Sequence, residues 1–157
     1  MPEVHTEILV DAAPAVVWDI LVDLGAYEAW NPFVYPASGE IALGRVIHVR
    51  ANPEWGRPMR FAPVVVRCEP GRAFSWMGHF LRPGVVDGEH IFELYPEAGG
   101  NRTRLVHREV FSGLLARAMF PLLRRTTRQG FEAMNQALAG RAAGMAGNAG
   151  KAGMTRE

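Results

Sequence analysis

The chain has 157 residues, enough to bury one core and too few for two comfortable domains. With 17 basic and 16 acidic residues its net charge is +1, which gives no global field to draw in nucleic acid or an acidic membrane. Its one cysteine, Cys68, excludes an internal disulfide and any multi-cysteine zinc or iron–sulfur site.

The N-terminal segment lacks a basic stretch followed by an apolar run, so no signal peptide is expected, and no stretch is apolar enough to span a bilayer. A cytoplasmic location is the default expectation. Residues 4–10 alternate as a strand, with Val4, Thr6, Ile8 and Val10 on one face. Asp11-Ala12-Ala13-Pro14 reads as a turn into a helix whose apolar face is Val16, Val17, Ile20 and Leu21. Gly25 interrupts it. A second short helical turn over residues 27–30 must stop at Asn31-Pro32, because the residue before a proline is pushed out of helical space.

Six further strands are predicted over residues 37–43, 45–51, 61–69, 73–81, 87–95 and 103–112, divided by turns that carry Gly or Pro. With the first strand they make a seven-stranded antiparallel sheet. Pro63 lies inside one of these runs and cannot donate to a ladder, so an edge position or a bulge is expected there.

Residues 112–141 then read as a long amphipathic helix. Phe120, Leu123, Thr127, Phe131, Met134 and Leu138 form its apolar stripe, while Arg124, Arg125, Arg128, Glu132 and Gln136 fall elsewhere. Pro121 predicts that residues 113–120 form a separate or kinked turn. Residues 1–141 are read as one domain, α+β in class, and residues 142–157 as a flexible Gly/Ala-rich tail. The arginine cluster is read as a solvated helix face, with no nucleic-acid partner.

The last two strands carry the main chemical signal. Pairing them across Gly99-Gly100 sets Leu94 opposite Leu105, Phe92 opposite His107 and His90 opposite Glu109, all on one inward face. The preceding strand adds Phe74, Trp76, Gly78 and Phe80 to that face. Ionisable groups among aromatics are tolerated only when paired or reached by water, which an open cavity would permit. His90, His107 and Glu109, helped by Thr127, are therefore candidates to hold the polar end of an apolar ligand. A structural His–Glu pair is the competing reading. Trp30 and Phe33 are candidates to roof the pocket, and Trp76, Phe80, Phe92, Leu123 and Phe131 to line it. No metal or cofactor is expected, since the histidines lack tight ligand spacing.

The order strand, two short helices, six strands, long helix resembles the helix-grip fold of the START/Bet v 1-like (SRPBCC) superfamily. The local words agree: Ile8-Leu9-Val10-Asp11-Ala12-Ala13-Pro14 and Tyr27-Glu28-Ala29-Trp30-Asn31-Pro32-Phe33 resemble bacterial members related to polyketide cyclase/dehydrase proteins. The resemblance implies a sheet wrapped around the C-terminal helix, a deep apolar cavity between them, and a lipid, polyketide or similar ligand without a cofactor. It leaves two functions open: binding of a hydrophobic small molecule, or a cyclase/dehydrase-like reaction in which His90, made more basic by Glu109, moves a proton. A protein-interaction module using Trp55 and the arginine cluster is a third. Monomer and homodimer both fit.

Overall fold

The computed structural model describes residues 1–154, and side chains up to residue 147. Strand β1 (Glu3–Val10) keeps the alternation read from sequence, burying Val4, Thr6 and Val10 and turning His5, Glu7 and Leu9 outward. Helix α1 (Pro14–Val22) starts on its proline, where a missing N–H costs nothing, and buries Val17, Ile20 and Leu21. A 3₁₀ turn over Leu24–Ala29 follows, tied back to α1 by the Tyr27 hydroxyl, which donates to the Leu21 carbonyl. Asn31 ends it. Its Oδ1 accepts from the N–H groups of Phe33 and Val34, both at 2.9 Å, and so sets where the chain re-extends into β2 (Val34–Ser38).

The remaining strands are β3 (His48–Ala51), β4 (Met59–Phe61), β5 (Val64–Glu69), β6 (Ala73–Phe80), β7 (Val86–Glu97) and β8 (Arg102–Ser112). They do not make the single seven-stranded sheet expected from the sequence. A five-stranded antiparallel sheet runs β1-β8-β7-β6-β5, and a three-stranded one runs β2-β3-β4. The predicted strand over residues 61–69 is split at Pro63, which has no N–H to give and lies between β4 and β5. Only local bonds join the sheets there: Ile47 donates to the Pro63 carbonyl at 2.9 Å, and Val46 bridges Val64. The edge strand β5 also shifts register between Val65 and Arg67.

Helix α2 spans Ala116–Met154: it begins four residues later than the 112–141 stretch read from sequence and continues into the predicted tail, of which residues 155–157 lie outside the described residues. Pro121 sits inside it rather than at its start, and the Gly/Ala-rich stretch is helical through Met154. The helix behaves as two halves. Phe131, Met134, Leu138 and Ala142 are fully buried against the sheet and α1, whereas Phe120, Leu123 and Thr127, on the same stripe, keep accessible surface. The C-terminal half packs solid and the N-terminal half faces a hollow. On the opposite, outer face of the large sheet, Glu93 joins Arg67 (3.0 Å) and Arg108 (3.3 Å), so these three charges are paired away from that hollow.

Candidate functional site

A cavity of about 390 Å³ lies between the inner face of the sheets and the N-terminal half of α2, within the range of small-molecule sites. Its walls are mostly apolar. Phe33, Trp76, Phe80, Leu123, Thr127 and Phe131, all among the candidates read from sequence, line it. Trp55 and Leu122 also line it yet remain 71% and 73% exposed, which places them at its mouth. Phe33 reaches the wall because the Asn31 turn aims β2 there and because Gly130 on α2 leaves room for its ring. A Cβ at Gly130 would stand 2.4 Å from two Phe33 ring carbons.

The β7–β8 ladder has the register read from the sequence: Phe92 pairs with His107 and His90 with Glu109. Side-chain contacts within it differ from the expectation. His90 does not hydrogen-bond Glu109. Its Nε2 lies 2.6 Å from Nε2 of His107, with the two rings only 9° from parallel, so the structural partner of His90 is the second histidine. Phe92 and Phe131 stack on His107 at centroid distances of 4.5 and 3.9 Å and enclose the pair in aromatic surface. His107 and Phe92 therefore belong to the packed wall behind the cavity rather than to its lining, and Trp30 packs edge-on to Tyr27, also outside it.

The protons along this chain can be placed. Thr6 Oγ1 donates to the His107 carbonyl at 2.7 Å and accepts from Asn135 Nδ2 at 3.0 Å. Asn135 thus presents Oδ1 to Nδ1 of His107, 2.6 Å away, which must carry a proton to donate. The Nε2 of neutral His107 then has a lone pair, and Nε2–H of His90 donates to it. Burial holds both histidines below their usual range, His107 down to about 3, and the neighbouring His107 lowers His90 further, so both rings are neutral at physiological pH. The assignment leaves Nδ1 of His90 as an unprotonated acceptor with no protein partner among the described residues.

Glu109 stands across the ladder from His90 and also lines the cavity. Its carboxyl occupies a notch over Gly88, where an added Cβ would come within 2.3 Å of Oε1. Its oxygens have no hydrogen-bond partner among the described residues. It keeps some accessible surface because it faces the hollow, but protein surrounds it, and that desolvation pushes its pKa up to about 7. Among the described residues no group of three or more His, Cys, Asp or Glu is placed to hold a metal ion.

Two functional neighbours, Thr6 and Asn135, were not singled out from sequence. Asn135 could have been: it falls four residues after Phe131 and three before Leu138, a polar side chain on the buried stripe. Arg124, Arg125 and Arg128 lie on the outer, exposed face of α2, away from the cavity. No helix among the described residues is long and apolar enough to cross a membrane.

The fold has close counterparts. The Zhui aromatase/cyclase from Streptomyces sp. R1128 superposes with a TM-score of 0.72 at 18% identity, over 90% of this chain and 93% of that one. A START superfamily protein from Mycobacterium smegmatis gives 0.71 at 18% identity, over 91% and 98%. The di-domain ARO/CYC StfQ from the steffimycin biosynthetic pathway gives 0.74 at 14%, over 93% of this chain and 52% of that one. No curated protein sequence matches. The family profile described as polyketide cyclase / dehydrase and lipid transport matches residues 1–143 of the 157. The chain therefore belongs to that family, and it shares the fold of the START-superfamily and aromatase/cyclase structures above.

Proposed function

We propose that the protein binds a hydrophobic small molecule in the cavity between the sheets and α2, with the polar end of the ligand at His90 and Glu109. One observation carries this reading. An apolar space of about 390 Å³ is lined by two polar groups, Nδ1 of His90 and the Glu109 carboxyl, that have no hydrogen-bond partner among the described residues. Such groups are costly in a packed core and useful in a binding site, where a ligand completes their hydrogen bonds. Trp55 and Leu122 supply an apolar rim for entry.

A cyclase or dehydrase-like activity is the second reading, favoured by the carboxyl of Glu109. An acid that titrates near pH 7 can both release and take up a proton at working pH. The proton-transfer group would then be Glu109 itself, not a histidine made basic by it, because His90 is engaged by His107.

Native mass spectrometry of the purified protein, with extraction of what co-purifies, tests the first reading. A neutral fluorescent probe, N-phenyl-1-naphthylamine, then reports cavity occupancy. It should bind one per chain and be displaced in a Thr127→Trp variant, which fills the hollow from α2. Probe binding that Thr127→Trp leaves unchanged would remove the cavity from the argument. Chemical conversion of an extracted ligand on incubation with fresh protein would favour the second reading.

A further inference from the structure

We infer that the polar end of the ligand is an uncharged hydroxyl, an alcohol or phenol on an apolar body, and that the cavity rejects carboxylates and other anions. This rests on the binding reading above and narrows it to a class of ligand.

The hydrogen-bond chain behind the cavity wall runs in one direction. The single proton of Thr6 goes to the His107 carbonyl, which orients Asn135, which fixes the tautomer of His107, which in turn makes His90 the donor between the two rings. Each link is buried, so none is reversed by solvent. The outcome at the cavity wall is a lone pair on His90 Nδ1, held in place by three residues behind it.

Directly across the ladder is Glu109. Paired residues on one face of an antiparallel sheet hold their Cβ atoms about 5 Å apart, so one small group can touch both side chains. No cation neutralises Glu109. Arg57, the one cationic side chain on the cavity wall, is exposed on the 52–58 loop, and His79 on the wall is already paired with Asp87 at 2.6 Å. An unpaired carboxyl in apolar surroundings keeps its proton to higher pH than usual, here up to about 7, and while protonated it is a donor as well as an acceptor.

On the β7–β8 side the wall thus offers one acceptor, His90, and beside it one donor, protonated Glu109. A hydroxyl matches both, donating to the ring nitrogen and accepting from the carboxyl. A ligand carboxylate has only lone pairs: it can accept from Glu109 but sets its charge against the His90 lone pair, with no buried cation to offset the desolvation. An ammonium has no lone pair to accept from Glu109, and would have to draw off its proton and bury an ion pair. Rejection of the wrong head group comes from unmatched buried polar groups, the strongest source of discrimination available to such a site.

The test uses four ligands sharing one naphthalene body: 2-methylnaphthalene, 2-naphthol, 2-naphthoate and 2-naphthylmethylammonium, titrated at pH 6 with tryptophan fluorescence as readout. Naphthol is expected to bind about tenfold more tightly than methylnaphthalene, and naphthoate at least tenfold more weakly. Glu109→Leu should abolish the preference for naphthol while retaining methylnaphthalene, and Glu109→Gln, which keeps a donor and an acceptor, should preserve it. Tightest binding by naphthoate or by the ammonium would overturn the inference, as would methylnaphthalene and naphthol binding equally. If none of the four binds, the cavity-binding reading itself falls and takes the inference with it.

Discussion

The Nε2 atoms of His90 and His107 lie 2.6 Å apart across the β7–β8 ladder, and the proton between them belongs to His90 because Asn135 has already claimed the other face of His107. A residue on the helix thereby decides what a residue on the sheet presents to the cavity. Asn135 is 3% exposed and sits on the packed half of α2, where it spends its polar atoms on β1 and β8.

Removing that residue should be costly. Asn135→Leu fills the volume but leaves the Nδ1–H of His107 and the hydroxyl of Thr6 short of partners in a dry environment. A loss of about 1–3 kcal/mol in urea unfolding is expected, the range for a buried donor left unsatisfied. A change below about 0.5 kcal/mol would mean that the chain of bonds contributes nothing to stability. The variant should also free the His107 tautomer, visible as altered ring nitrogen shifts of both histidines by NMR.

Much of this arrangement was legible in the sequence, and for physical reasons. The Gly99-Gly100 turn and the two-residue period of β7 and β8 fix the register, so the opposition of His90 to Glu109 follows from counting. What counting cannot supply is the side-chain rotamer. Register places His107 diagonal to His90, within reach of a long side chain, and only packing against Phe92 and Phe131 turns the rings toward each other. The division into two sheets was hidden for a different reason. Residues 61–69 have strand composition throughout, and the break rests on the one missing N–H of Pro63. The two halves of α2 share a single apolar stripe, and nothing in its spacing tells a hollow from a packed surface.

Stability should vary with pH in a way that separates the histidines from Glu109. Both histidines have lowered pKa values, so their stabilising share is complete above their ordinary value of 6.5 and is lost as pH falls, because the unfolded chain takes up protons that the native state refuses. Each contributes a slope of about 1.4 kcal/mol per pH unit. Glu109 acts oppositely. Its carboxyl, raised from 4.5 to about 7, keeps in the native state a proton that the unfolded chain has released, so stability is lost as pH rises across that interval. At about pH 5.5 the three groups sum to a gain of about 1.3 kcal/mol per unit, and in Glu109→Gln to about 2.5. The other titratable or hydroxyl side chains that line the cavity with Glu109 are His79 from β6, His90 from β7, Thr126 and Thr127 from α2, and Arg57 from the loop. Parallel pH curves for the two proteins would show that Glu109 is not buried as a neutral acid.

Gly130→Ala should reshape the cavity without touching its polar groups. Alanine is favoured over glycine in a helix by about 1 kcal/mol, which alone would stabilise α2. The new Cβ, however, falls within 2.4 Å of the Phe33 ring, and a ring cannot yield by that amount without turning. The open side is the cavity. Phe33 should swing into it, reduce its volume and weaken binding of N-phenyl-1-naphthylamine several-fold, with little or no gain in stability. Stabilisation by about 1 kcal/mol with unchanged probe binding would show that Phe33 is not held against the helix.

Gly88→Ala should act on the carboxyl alone. Gly88 lies on β7 diagonal to Glu109, and its bare Cα is the floor of the notch that holds Oε1. A methyl there would overlap that oxygen, but the obstacle is the end of a flexible side chain and not backbone, so the sheet should survive. Replacing a strand glycine with alanine even reduces the backbone entropy lost on folding. The carboxyl must leave the notch for the cavity, where any water present can reach it. Its pKa should then move back from about 7 toward the ordinary carboxylate value of 4.5, and the fall in stability that Glu109 causes as pH rises between those values should shrink accordingly. Binding of 2-naphthol at pH 6 should weaken in parallel, since a displaced or ionised Glu109 no longer donates beside His90, while 2-methylnaphthalene should be affected only through the volume lost. Carboxyl titration followed by ¹³C NMR gives the decisive reading: a Glu109 pKa that stays near 7 in Gly88→Ala would show that enclosure by the whole cavity, and not the notch, keeps the acid neutral.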